Sequence, residues 1–375
     1  MDTMNDPHAS GSALDRARVA VYTDRECLPT ALRAAADGDI AIIMRDWSHA
    51  SQIRQALATR SHATTVVVDP GRWRHHQATR QRPLDLPDSG LSPMDLATWC
   101  ADYRAATNAD AIFSPSLFTP AGDWDALRAL RDALGTGLEL DGSAIGLVAT
   151  DASMLDQPTI DRFLTELQPL GHLRLGFVFA GRQHALANSA RLASLQAVLE
   201  QHRGSWLLGV DGLIGSDALA ADAGLVGVGV RSGMRWPAGP GNPSNTPFAR
   251  AFVPGRFHRD LLTYRSPVVF AHWYLNSVPA ACTVCGRPPV RYIPSPEGNN
   301  EILAHNVHAV ADLCRDVLFL PADQRPGWLS AERIEAAENY RELDRSQAHV
   351  HLDPTLVALI RRDQPSWTAP APAAL

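Results

Sequence analysis

Cys282 and Cys285 are separated by two residues, and nineteen more separate Cys285 from a His305-Asn306 pair in a stretch of helical periodicity. Two thiolates and an imidazole at that spacing read as a structural zinc site appended to an enzyme core, because sulfur and imidazole nitrogen are the ligands Zn2+ takes in closed tetrahedral sites. The cysteines would fold a tight turn, and His305 would supply a nitrogen from the facing helix. A fourth ligand is not fixed by the spacing: His308, one turn on, can reach the same side and joins Cys282, Cys285 and His305 in the expected metal set, with His272 or water as alternatives. Cys314 stands nine residues beyond His305. That is about 13.5 Å along a continuous helix, too far to share the ion.

These residues follow a long alternation of strand-like and helix-like segments. Short β-branched runs recur at 18-23, 39-44, 64-69, 111-114, 144-149, 173-179, 205-210 and 225-230. Amphipathic segments separate them, at 28-37, 49-59, 93-106, 123-134, 159-168, 189-202 and 216-223. Strands flanked by helices pair in parallel and are buried on both faces, which suits their nearly continuous apolar character. Eight such units predict an α/β fold, a (β/α)8 TIM barrel, over residues 18-236, preceded by a disordered tail, 1-17. After Trp236 the chain crosses a proline- and glycine-rich stretch into an arginine-rich, zinc-binding helical extension, 237-362, with helices near 299-319 and 329-345. A proline- and alanine-rich tail, 363-375, is expected to be loose.

In such a barrel the chemistry sits where strands end at their carboxyl termini. The residues there are Asp24, Asp46, Asp69, Ser114, Asp151, Asp211 and the loop Arg231-Ser232-Gly233. An aspartate in a βα loop is commonly a helix N-cap worth about 1 kcal/mol, the expected role of Asp24 and Asp46. Asp69 ends the most β-branched strand and precedes Pro70-Gly71, a turn expected to project its carboxylate into the mouth as a general acid or base. Asp151 and Asp211 are the further catalytic candidates. Gly71, Ser114, Gly181, Gly212, Gly229, Arg231 and Ser232 form the expected substrate contact set, the glycines after the last strands allowing backbone amides to approach a phosphate.

All 34 basic residues are arginine. Without lysine there is no Schiff base, no lysine-bound pyridoxal phosphate and no Walker lysine. The net charge is -6, yet residues 231-300 carry eight arginines against Asp260 and Glu297, with aromatic residues interleaved. That composition suits phosphate contacts and base stacking, so nucleic acid is an expected partner. No apolar run is long enough for a membrane span, and five scattered cysteines do not suggest a secreted disulfide framework; a cytoplasmic protein is expected, with Cys27 and Cys100 as packing residues.

A barrel whose extension carries Cys-x-x-Cys followed by a helical His-Asn resembles the tRNA-guanine transglycosylase family and its DNA-modifying relatives. The family's zinc signature, Cys-x-Cys-x-x-Cys and then His, falls on Ala280, Cys282, Cys285 and His305, so the first cysteine is replaced. Its Asp-Ser-Gly-Gly-Phe is similar to Asp69-Pro70-Gly71-Arg72-Trp73, which implies a base-handling Asp69. Its nucleophilic aspartate, in a Phe-Asp-Cys context, falls on Val228-Gly229-Val230, and its Gln-Gly-Gly on Phe179-Ala180-Gly181. The resemblance covers roughly residues 60-320.

The resemblance implies base exchange at a purine or 7-deazapurine N-glycosidic bond in tRNA or DNA, the chemistry of queuosine-type modification, with structural Zn2+ and a homodimer or heterodimer. Gly229 cannot attack an anomeric carbon, so Asp211 or another rim carboxylate would have to substitute. Two alternatives stay open. One is a non-catalytic nucleic-acid-binding subunit partnering an active transglycosylase, and the other a barrel enzyme for a phosphorylated sugar or nucleotide.

Overall fold

The computed structural model describes residues 13-36, 39-46, 49-87, 94-138, 143-241, 253-345 and 350-369. All eight expected strands form, as β1 (Val19–Thr23), β2 (Ala41–Arg45), β3 (Val66–Asp69), β4 (Ala111–Phe113), β5 (Ala144–Asp151), β6 (Leu175–Ala180), β7 (Trp206–Val210) and β8 (Leu225–Gly229). They pair in parallel in sequence order, and β8 returns to β1 to close the barrel. Both faces of the sheet are packed with fully buried side chains, such as Ile43, Val67 and Leu147 inside the barrel and Ile42, Ile112 and Leu207 toward the helices, as expected of strands covered on both faces.

Seven helices follow the alternation: α2 (Leu28–Ala34), α3 (Ala50–Ala56), α4 (Leu96–Thr107), α5 (Trp124–Gly137), α6 (Thr159–Leu167), α7 (Ser189–Gln201) and α8 (Gly212–Ala220). A short α1 (Ala13–Arg16) precedes β1, and Leu14 and Ala17 are buried against the core. The expected disordered tail is therefore ordered from residue 13, because those two side chains have apolar surface to cover; residues 1-12 lie outside the described residues.

Beyond β8 the chain forms α9 (Ser232–Arg235), an antiparallel pair β9 (Arg256–His258) and β10 (Thr263–Arg265), then α10 (Pro267–Trp273), α11 (Pro296–Phe319), α12 (Arg325–Arg345) and α13 (Pro354–Asp363). α11 packs against α2, α8 and β1. It occupies the outer-layer place between the last and first strands, so the extension supplies the barrel's eighth helix. α12 and α13 are tied to α8 by a buried ion cluster, in which Arg333 and Arg362 both bond Asp217 and Asp363. In the expected loose tail, α13 runs to Asp363 and Trp367 packs on the core.

Candidate metal centre and barrel mouth

Three ligand-bearing side chains come together in the extension. The donor atoms of Cys282, Cys285 and His305 all lie within 4.8 Å of one another, and Cys282 Sγ is 3.8 Å from His305 Nδ1. Tetrahedral Zn2+ ligands would stand about 3.5–3.8 Å apart, given Zn–S near 2.3 Å and Zn–N near 2.0 Å. The chain builds this group with a turn in which Gly286 N donates to Cys282 O and Cys282 N donates to Arg287 O. Gly286 adopts φ +64°, the left-handed conformation that glycine takes without strain. Burial raises the Cys282 thiol pKa, while backbone N–H groups of Cys285 and Val284 pointed at its sulfur oppose the rise. Arg256, itself buried, donates to Cys285 Sγ at 2.8 Å and so holds that side chain in the group.

His305 is oriented as a ligand. Its Nε2 is 2.9 Å from Phe257 O, so the proton sits there and the Nδ1 lone pair faces the sulfurs. Burial lowers its pKa to about 4, which keeps the ring neutral. The neighbouring Asn306 holds the same strand: its Oδ1 accepts from Phe257 N at 2.7 Å and its Nδ2 donates to Gly255 O at 2.8 Å. The His-Asn pair thus fixes β9 on α11, a role for Asn306 that its sequence position marked without explaining. His308 stands outside the three-residue group among the described residues; it lines a cavity of about 500 Å³ next to the group, together with Cys285 and His305. Cys314 is fully buried farther along α11, and Cys27 and Cys100 are buried as well. The donor set and its tautomer fit a metal ion.

At the barrel mouth, the strand register puts Tyr22, Arg45, Asp69 and position 229 on the interior face. Asp69 has no exposed surface. Tyr22 OH donates to its Oδ2 at 2.7 Å, Trp73 Nε1 to the same oxygen at 3.2 Å, and Gly71 N to Oδ1 at 2.8 Å. The Pro70-Gly71 turn, with Gly71 at φ +66°, folds back to clasp the carboxylate instead of projecting it. Trp73 lies fully buried within a single 3-10 turn after β3, and residues 76-84 of the same loop bond to the 116-118 segment. The guanidinium of Arg45 lies over the rings of Tyr22 and Trp73 at 5.4 and 5.7 Å. Burial and the neighbouring Arg45 hold Arg74 below the usual arginine range, and Tyr22, Asp69 and Asp24 pull it back up. Arg45 Nη1 and Arg74 Nε are buried without a hydrogen-bond partner among the described residues.

The other rim candidates are all bonded to groups of the scaffold. Asp211 caps α8, its Oδ1 accepting from Leu213 N and Ile214 N while Oδ2 accepts from Thr355; burial pushes its carboxyl up to about 6. Asp151 caps a 3-10 turn through Ser153 N. Asp24 accepts from Cys27 N and pairs with Arg231, which also pairs with Glu26. Ser114 joins β4 to β5, accepting from Leu147 N and meeting Ser116 Oγ at 2.8 Å.

The glycines expected to cradle phosphate instead admit the chain itself. Residues 231-239 cross the mouth: Gly181 N donates to Pro237 O, and Pro237 packs on Gly209. A Cβ at Gly229 would stand 2.3 Å from the backbone of Met234 and Arg235. Gly212 lets Val310 of α11 and the Tyr264 hydroxyl approach α8 closely. Ser232 begins α9 within this crossing segment, its carbonyl accepting from Trp236 N.

The arginine-rich stretch is similarly committed inward. Arg235 is buried against the Tyr264 ring, Arg259 pairs with Asp316 and Glu332, Arg265 with Asp353, and Arg287 with Glu301. The charge contrast along the sequence is therefore largely absorbed by pairing within the fold; Arg250 lies outside the described residues.

No family model matches the chain, and no curated protein matches it. Among solved structures it is similar to the carboxyl transferase domain from Rhizobium etli pyruvate carboxylase, solved with pyruvate. The identity is 12% and the TM-score 0.33, over 94% of this chain and 61% of that one, so the chain spans about three fifths of that structure's length. A likeness at that level says nothing about activity. No helix among the described residues is long and apolar enough to cross a membrane.

Proposed function

We propose that the chain is a transglycosylase-like barrel acting on the N-glycosidic bond of a purine or 7-deazapurine nucleotide in tRNA or DNA, with a structural zinc ion in the extension. The observation that carries this reading is the Cys282, Cys285 and His305 group built onto the helix that completes the barrel, since it joins the two halves of the family resemblance in one architecture. Cys282, Cys285 and His305 would hold the zinc, which supplies folding energy to the turn around it.

At the mouth, the remaining acceptor capacity of Asp69 suits a ring N–H of the base, and Tyr22 and Trp73 fix the carboxylate's orientation. Arg45 Nη1 and Arg74 Nε, buried and unpartnered among the described residues, suit a phosphate or a purine acceptor edge. Asp24 follows β1, which pairs with β8, and it lies within electrostatic reach of Arg74. On release of its pairing with Arg231, it is the rim carboxylate that would stand in for the missing nucleophile.

The test is exchange of labelled guanine into bulk tRNA and duplex DNA by native protein, Asp69→Asn and Asp24→Asn, with thermal unfolding of each variant to separate misfolding from lost chemistry. Exchange by the native protein that both folded variants lose supports the proposal. Native protein that neither exchanges nor binds either polymer at low salt refutes it.

A second reading, a nucleic-acid-binding subunit that partners an active transglycosylase, is favoured by Gly229, where the backbone of Met234 and Arg235 leaves no room for any nucleophilic side chain. It expects salt-dependent binding of tRNA or DNA without exchange by the chain alone. It also expects copurification with a second transglycosylase-like chain.

A further inference from the structure

We propose that a metal ion held by Cys282, Cys285 and His305 keeps an exchangeable fourth coordination position open to the neighbouring arginine-lined cavity, where it takes an oxygen of a small oxyanion, a phosphate or a carboxylate. The inference rests on the metal reading above and goes beyond a purely structural ion. Three protein ligands with an open fourth position are the arrangement of zinc sites that bind exogenous ligands, whereas purely structural sites are closed by four.

Two sequence and structural facts point to the open arrangement. Ala280 stands where the resembled family has its additional cysteine, and a methyl group cannot coordinate. Among the described residues, the group that could hold the ion has three members and no fourth histidine, cysteine or carboxylate.

The surroundings decide what would enter. Of the three ligand residues, Cys285 and His305 line the cavity of about 500 Å³, a volume in the range that small-molecule sites occupy. Its walls carry Arg256, Arg287, Arg291 and Arg315 against only Glu301 and Asp312. Arg287 is neutralised by Glu301 and Arg315 by Asp312, while Arg256 donates to Cys285 Sγ. Arg291, also in the cavity wall, makes no ion pair with any described residue and is the guanidinium left to meet an incoming anion. A planar fork of N–H donors beside a metal ion matches an oxyanion that gives one oxygen to the ion and others to arginine.

The test uses the full chain with Co2+ replacing the native ion, since the visible absorption of Co2+ reports its coordination. Metal content is measured first, and one equivalent per chain retained through gel filtration is expected; no bound metal overturns this proposal and the zinc assignment together. Phosphate and acetate are then titrated separately. A saturable shift of the Co2+ bands supports the proposal, and the tighter anion identifies phosphate or carboxylate as the ligand chemistry. Bands unmoved by either anion, with metal still bound, overturn the open position and leave the structural zinc reading intact. Arg291→Ala should weaken the anion response at least tenfold without changing metal content; an unchanged response overturns the role of the cavity. Ala280→Cys should intensify the thiolate-to-metal absorption and abolish the anion response. Persistence of that response in the same variant, with the added thiolate bound, overturns the assignment.

Discussion

Gly229→Ala asks for the smallest possible side chain where the family resemblance places a nucleophile. Its Cβ would stand 2.3 Å from Arg235 N and Met234 C and 2.6 Å from Met234 O. These are backbone atoms, so no rotamer change relieves the clash, and the 231-239 segment would have to retreat by about 1 Å to restore van der Waals distance. Overpacking of this kind costs about 1–3 kcal/mol. The retreat also strains the Gly181 N–Pro237 O hydrogen bond and the packing of buried Arg235, adding about 1 kcal/mol for each of these two interactions that breaks. A total destabilisation of about 3–5 kcal/mol is expected. Gly233→Ala, in the same segment, is the control, since nothing lies within 4 Å of its Cβ position; it should fall within about 0.5 kcal/mol of the parent. Urea unfolding followed by tryptophan fluorescence measures both. If Gly229→Ala unfolds within about 1 kcal/mol of the parent, the segment does not press on β8, and the mouth has room for a side chain there.

Asp211→Asn separates cap from catalyst: asparagine caps a helix as well as aspartate, so the variant should keep any exchange activity. The folded-state carboxyl, near 6, lies above the unfolded value. The stability it contributes is fully present below about pH 4 and lost as pH rises through about 6, so the variant should be as stable or up to about 2 kcal/mol more stable at pH 7, with that slope absent from pH-dependent melting curves. Asp217→Asn should cost about 3–5 kcal/mol in urea unfolding by leaving buried Arg333 and part-buried Arg362 beside too little negative charge. Burial raises the Asp217 carboxyl pKa, but Arg333 and Arg362 outweigh it and hold the net value below the usual range. Its contribution is therefore present above the unfolded carboxylate value near 4 and disappears as pH falls through the lower folded value. Asn306→Ala removes two bonds to the β9 strand and should cost about 2–3 kcal/mol, with hydrogen exchange at Phe257 N rising most.

The barrel was legible because its strands are apolar on both faces and its helices are not, so the two periods separate cleanly. Thr159 opens α6 where Gln157-Pro158-Thr159 marks a start, whereas α8 begins at Gly212, ahead of the expected 216, because Asp211 caps it directly from the end of β7. The composition of the polar loop after β3 gives no sign that Trp73 is fully buried beneath it. α10 and α13 were not expected, although Ser266-Pro267 and Asp353-Pro354 are each a cap followed by proline at the first helical position. At the site, residue types announced Cys282, Cys285 and His305, since a ligand set is a matter of chemistry and spacing. The destinations of the rim aspartates and glycines were not legible, because whether a carboxylate caps a helix or a glycine admits a neighbouring chain depends on what packs there from far along the sequence.

α11 has a bearing on how this molecule comes into being. The seam between the first and last strands is roofed by a helix encoded more than sixty residues after β8 ends. During synthesis, all eight strands would emerge with that seam uncovered, and the ring would gain its last wall only once Phe319 had cleared the ribosome. A fragment ending at Trp236 is thus expected to expose an apolar stripe and to aggregate, and a metal clasp that steadies α11 would act on assembly of the whole ring as much as on its own turn.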